Sequence, residues 1–137
     1  MAVVAQFGRA DQSVRLALCS AVEQVGHWVY VEAEKTATDP EEVRKANPTD
    51  FNKMPAVGVI ISKISATLCE VQWFGETTDV LSGLGVGEVH YLAHDGTAKP
   101  DPPTPGGSPV YWQTLGIGLS AESMYVKPDD QMRLRRP

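Results

Sequence analysis

The chain has 137 residues, of which 42% are hydrophobic and 21% charged, proportions that suit one ordinary folded domain and exclude a disordered tract. A net charge of −5 argues against non-specific nucleic-acid binding, and no apolar run approaches the roughly 20 residues that span a membrane. Cys19 and Cys69 both lie in apolar runs, where two buried free thiols are expected rather than a disulfide.

Residues 1–12 read as an N-terminal arm, with a short apolar start through Val3, Val4 and Phe7, then Gly8, Arg9, Asp11 and Gln12 without a period. The arm lacks a basic start followed by a long apolar stretch, so no signal peptide is read and a soluble protein made in a cytoplasm is expected. From Ser13 to Ser20 the side chains alternate, with Val14, Leu16 and Leu18 on one side, which predicts a strand. His27 to Glu34 is rich in aromatic and β-branched residues and predicts a second strand. In it Val29, Val31 and Ala33 face inward, while Trp28, Tyr30 and Glu32 face a second layer or a partner.

Thr38-Asp39-Pro40-Glu41-Glu42 has the form of a helix start, with Asp39 as N-cap and Glu42 closing a capping box. Asn47-Pro48 then stops the helix, so a short connector helix from Pro40 to Ala46 is expected. Pro55 to Ser62 is nearly all apolar, and Lys63 to Phe74 continues as another strand. A run apolar on both faces implies burial on both sides or a subunit interface. Gly75 to Asp79 turns the chain, and Val89 to Ala93, Tyr111 to Leu119 and Ser123 to Lys127 predict three more strands. Between them, Lys99 to Pro109 is a proline-rich surface loop of extended character. Gln131-Met132-Arg133-Leu134 alternates weakly, as an added edge strand does. The expectation is an all-β fold, a small β-sandwich or barrel-like domain of about seven or eight strands, with one short helix and extended terminal arms. Its parts are the arm 1–12, a β domain 13–128 and a C-terminal tail 129–137.

Residues suited to catalysis are thinly spread. His90 and His94 stand four apart with Asp95 adjacent, but a strand would separate them by roughly 13 Å, which disfavours a shared metal. His94-Asp95-Gly96 reads as a turn. Ser20, Ser82 and Ser120 lack the Gly-x-Ser-x-Gly setting of a nucleophile elbow. Gly83-Leu84-Gly85-Val86-Gly87 has no lysine and no helix pattern behind it, so turn glycines account for it better than a phosphate loop. Capping explains Asp39, Glu41 and Glu42 without calcium. The aromatics Trp28, Tyr30, Trp73, Phe74, Tyr111 and Trp112 suit core or subunit contact better than a carbohydrate- or base-stacking platform. Arg133, Arg135 and Arg136 form the one basic cluster, which either grips an acidic protein surface or keeps the tail solvated.

Met54-Pro55-Ala56-Val57-Gly58-Val59-Ile60, Val71-Gln72-x-x-Gly75-Glu76, Leu81-Ser82-Gly83-Leu84, Tyr91-Leu92 and Gln113-x-x-Gly116-x-x-Leu119-Ser120-Ala121 follow one another in a distinctive order. Over roughly residues 25–127 that order resembles a domain of tailed-phage structural proteins, the small capsid-decorating (cement or head-fibre) proteins and related fibre modules. The stretch from Asp39 to Asp50 and the proline loop have no counterpart in the pattern. The resemblance implies homotrimers on the major capsid protein lattice of the virion, assembled in the host cytoplasm, with no enzymatic activity, cofactor or metal. Partner contact is then expected from Val3, Val4, Phe7, Arg9, Trp28, Tyr30, Trp112, Arg133, Arg135 and Arg136. The alternative is a phage fibre or receptor-binding module engaging a host surface glycan. A third reading, from another class, is a small β-fold hydrolase with its site near His90 and His94.

Overall fold

A computed structural model describes residues 13–137; the expected arm, with Val3, Val4, Phe7 and Arg9, lies outside the described residues. Val14–Leu18 (β1), Trp28–Ala33 (β2), Glu42–Lys45 (β3), Gly58–Ser65 (β4) and Leu68–Gln72 (β5) close into a barrel in the order β1-β3-β2-β4-β5. The β1–β3 contact is parallel and the other pairings are antiparallel. Two register shifts in β4, between Ile60 and Ser62 and between Lys63 and Ser65, bend that strand as closure requires. Inside the barrel pack Ala17, Cys19, Val29, Val43, Ile60, Cys69 and Val71. A five-stranded barrel is narrow, and these small and β-branched side chains fill it.

Gly75–Glu76 (β6), Val89–Leu92 (β7), Ala98–Lys99 (β8), Val110–Trp112 (β9), Thr114–Gly118 (β10), Met124–Val126 (β11) and Arg133–Arg135 (β12) complete the fold. An antiparallel sheet runs β6-β11-β10-β7-β8, and β12 pairs with β9 in a separate ribbon. The larger core lies between barrel and sheet. Trp28, Tyr30, Ala46, Met54, Ala56 and Val59 come from the barrel side, and Leu81, Leu84, Leu92, Leu115, Met124 and Val126 from the sheet and its loops. At about 1.5–3 kcal/mol for each large apolar side chain, this layer is the main source of stability. Trp28 and Tyr30 thus face a second layer, and that layer belongs to the same chain.

Several expectations are corrected. Pro40 to Ala46 is not helical: Glu42–Lys45 is β3, the strand that closes the barrel between β1 and β2. Burial of Val43 in the barrel outweighs the local capping signals. Glu42 pairs with the Arg44 guanidinium instead of a helix N-terminus, and Asp39 belongs to a turn with Thr36. The helical turn is Phe51–Lys53, a single 3-10 turn with Asp50 as its N-cap. Tyr111 to Leu119 is two strands, β9 and β10, broken at Gln113. The strands number twelve among the described residues. Val31 and Ala33 are both exposed rather than inward: Val31 lies opposite the buried Val43, and the β2–β3 register shifts only after it, before Ala33. The tail does add an edge strand, at Arg133–Arg135.

Candidate interaction surface

The outer face of the second sheet carries an apolar row. Ile117 lies directly opposite Tyr125 on one side and Val89 on the other. These side chains are 43%, 48% and 44% exposed respectively. A bulge between Thr114 and Gly116 sets this up. It turns Leu115 into the core and Ile117, two residues on, to the outside. Gly118 permits the neighbouring loop to close in, since a Cβ there would lie 2.1 Å from the Gly85 carbonyl oxygen.

Along β7 the alternation places Tyr91 on the same outer face as Val89, while His90 and Leu92 point into the core. Tyr91 meets Trp112 edge-on, with ring centroids 6.1 Å apart at 62°. The Arg135 guanidinium stacks over Trp112, 4.3 Å from the ring centroid. Arg133 sits opposite Trp112 in the β9–β12 register. The Trp112 indole N–H donates to the Pro103 carbonyl at 2.8 Å, fastening the proline-rich loop to this corner. Beside these residues runs a groove of about 410 Å3, lined also by Thr114, Asp129, Gln131 and Met132. The apolar row and the aromatic–arginine corner therefore form one surface.

Of the residues singled out in the sequence, Trp112, Arg133 and Arg135 come together here, and Arg136 follows β12 as an exposed residue. Trp28 is fully enclosed by the core, which removes it from any partner. Tyr30 is buried too, its hydroxyl donating to the Glu32 carboxylate. Burial, then the Glu32 carboxylate beside it, pushes the Tyr30 phenol up to about 12. Sequence reasoning passed over Tyr91, Val89, Ile117 and Tyr125. The alternation of β7 and β11 was a signal for three of them, but Ile117 depends on the bulge.

The remaining polar groups hold the scaffold. His90 is fully buried; its Nε2 accepts from the Gly85 N–H at 3.1 Å and its Nδ1 donates to the Glu88 carbonyl at 2.8 Å, which assigns the tautomer. His94 Nε2 lies 3.2 Å from the Thr104 carbonyl. Both histidines thus serve the backbone. Glu23 accepts from the Ser20 N–H (2.9 Å), the Ser20 hydroxyl (2.6 Å) and the Lys45 N–H (3.2 Å). Burial pushes its carboxyl up, but these bonds and the Arg44 charge prevail and hold it below the usual glutamate value.

Cys19 and Cys69 are free and buried. Lys63 Nζ donates to Cys19 Sγ at 3.3 Å and to the Ser20 and Ala66 carbonyls. Burial, then the neighbouring Cys19 thiol, pushes the Cys69 thiol up to about 12. Among the described residues no group of three or more His, Cys, Asp or Glu is placed to hold a metal. Compared with known proteins, the chain matches no family model, no curated protein and no solved structure.

Proposed function

We propose that the chain is a virion structural protein, a tailed-phage capsid decoration protein that sits as a homotrimer on the major capsid protein lattice and stabilises the head without turning over a substrate. The observation that carries this reading is the exposed row Val89–Ile117–Tyr125 on a preformed sheet face. Apolar surface left in water costs about 25 cal/mol per Å2, and a contiguous apolar patch is characteristic of a contact surface. A rigid sheet loses little ordering entropy on docking. Binding only the assembled shell stabilises that shell by mass action. The order of sequence elements quoted above, with its resemblance to decoration proteins, points the same way.

The test is to add the protein to undecorated capsids and image the particles. Density across the whole lattice is the expected result, whereas density only at the tail assigns the chain to a fibre. Light scattering should give a trimer in solution, and a clean monomer at micromolar concentration contradicts the trimeric part of the reading.

One observation favours the alternative, a fibre module engaging a host glycan: Trp112 and Tyr91 offer aromatic rings of the kind that stack on sugars. Arg135 already covers one face of Trp112 at 4.3 Å, so a sugar on that face has to displace a stacked cation. This ranks the glycan reading second.

A further inference from the structure

Residues 133–136 concentrate cations that no ion pair among the described residues engages. Arg133, Arg135 and Arg136 fall within four residues of a chain that carries 17 acidic and 12 basic side chains. Acids are in excess, yet among the described residues the ion pairs are Arg15–Glu41, Arg44–Glu42 and Lys99–Asp95. None involves the three terminal arginines. The carboxylate among the groove-lining residues, Asp129, accepts from the Gln131 N–H at 3.0 Å and is engaged in its own turn.

The backbone here is also unmatched. β12 pairs with β9 and with no other strand among the described residues, so its far edge presents open donors and acceptors. Arg133 and Arg135 are two residues apart and project from one face of that strand, the face of Trp112. The Arg135 guanidinium carbon lies over the Trp112 ring, 4.3 Å from its centroid, and among the described residues no ion pair engages Arg135, so its planar donor fork suits a carboxylate. All three residues of β12 are exposed.

We infer that this edge binds an extended acidic segment of a partner protein, which adds as a further strand beside β12 and sets carboxylates at alternate positions against Arg133 and Arg135. The two-residue spacing of the arginines is the spacing of same-face side chains on an added strand, so backbone pairing and charge pairing reinforce each other. An acidic glycan satisfies the guanidinium groups but leaves the strand edge open. The inference concerns the chemistry of this edge and stands apart from the shell on which the protein is proposed to sit.

The test uses the isolated full-length protein and a capped peptide of alternating Glu and Val, followed by amide and indole NMR and by hydrogen exchange. Titration is expected to shift the resonances of residues 133–135 and the Trp112 indole. The Leu134 amide, which faces away from β9 because the N–H of its partner Tyr111 donates to the Pro48 carbonyl, should gain protection from exchange. The same peptide with Gln for Glu should bind at least about tenfold more weakly, and the R133Q/R135Q variant should lose as much. Both positions are exposed, so an unchanged melting temperature checks that the variant is folded.

Equal binding of the Glu and Gln peptides, or no shift at millimolar peptide, overturns the inference. So does polyglucuronate shifting Trp112 and β12 where the peptide does nothing, which assigns the edge to acidic glycans. If the peptide is silent while R133Q/R135Q dissociates a homo-oligomer, the edge belongs to a second copy. No capsid is present in the experiment, so its failure is distinguishable from failure to decorate a shell.

Discussion

The side chain of Gln113 and the backbone of Ala56, 57 positions apart, hold each other at two points. Gln113 Oε1 accepts from the Ala56 N–H at 2.8 Å, and Nε2 donates to the Ala56 carbonyl at 2.7 Å. Nε2 also donates to the Asp129 carbonyl at 2.7 Å. One fully buried amide thus ties the segment before β4 to the start of β10 and to the tail that leads to β12. The demand for an acceptor and a donor on adjacent backbone groups assigns the amide orientation.

Replacing Gln113 with leucine, of similar size, strands one buried N–H and deprives two carbonyls of a donor. We expect a loss of about 2–4 kcal/mol, read as a lower urea midpoint with unchanged slope. Stability within about 0.5 kcal/mol of wild type contradicts the clamp.

Gly116 has φ +152°, and a Cβ there would lie 2.1 Å from the Tyr125 carbonyl oxygen. That oxygen belongs to a paired strand, β11, and cannot swing aside as a flexible side chain does. Gly116→Ala is therefore expected to cost about 3 kcal/mol or more, or to prevent soluble expression. A variant with the wild-type melting temperature rules this out.

The Cys69 thiol is raised to about 12 in the fold, against about 8.5 in the unfolded chain. Its contribution to stability is fully present below about 8.5 and is lost as pH rises from there toward the folded value. Thiol reagents should label Cys69 only after denaturation at neutral pH, as mass spectrometry can show, and Cys69→Ala should flatten the alkaline limb of the stability curve. Rapid labelling of the native protein at Cys69 excludes this environment.

Glu23 carries the opposite sign. Its folded pKa is depressed, so its stabilisation is present above the unfolded value of about 4.3 and is lost as pH falls through the lower folded value. Glu23→Gln should cost about 1–2 kcal/mol at pH 7 and less at acid pH, where the wild-type carboxyl is protonated too. Denaturant melts across that range decide it; a penalty that stays constant with pH means the charge plays no part.

Ile117 tests the outer face. Ile117→Lys places a cation in the middle of the apolar row, where the side chain already faces solvent. The melting temperature should change little, within about 0.5 kcal/mol in stability. Binding to undecorated capsids should fall at least about tenfold. Full occupancy by the variant removes the row from the contact.

The all-β class and most strand positions are legible in the chain itself. Alternation and β-branched residues mark Val14–Leu18, Trp28–Ala33, Val89–Leu92 and Met124–Val126, because the two-residue period belongs to each strand alone, whereas the expected strand from Lys63 to Phe74 divides between the end of β4 and β5. The turn at His94-Asp95-Gly96 is legible for the same local reason, and the Ala93 N–H to Thr97 carbonyl bond closes it at 2.9 Å.

Three features were decided only when distant segments met. Glu42–Lys45 became a strand because the barrel needs a member between β1 and β2, against its own capping signals. The outward aim of Ile117 depends on a bulge between Thr114 and Gly116 in the pairing of β10 with β7, which simple alternation along β10 does not reveal. Trp112 and Arg135, 23 positions apart in the chain, became stacked because β12 returned to pair with β9. Periodicity is a property of neighbours along a chain, whereas register, closure and edge exposure are set by free energies of contact between segments that the linear order keeps apart.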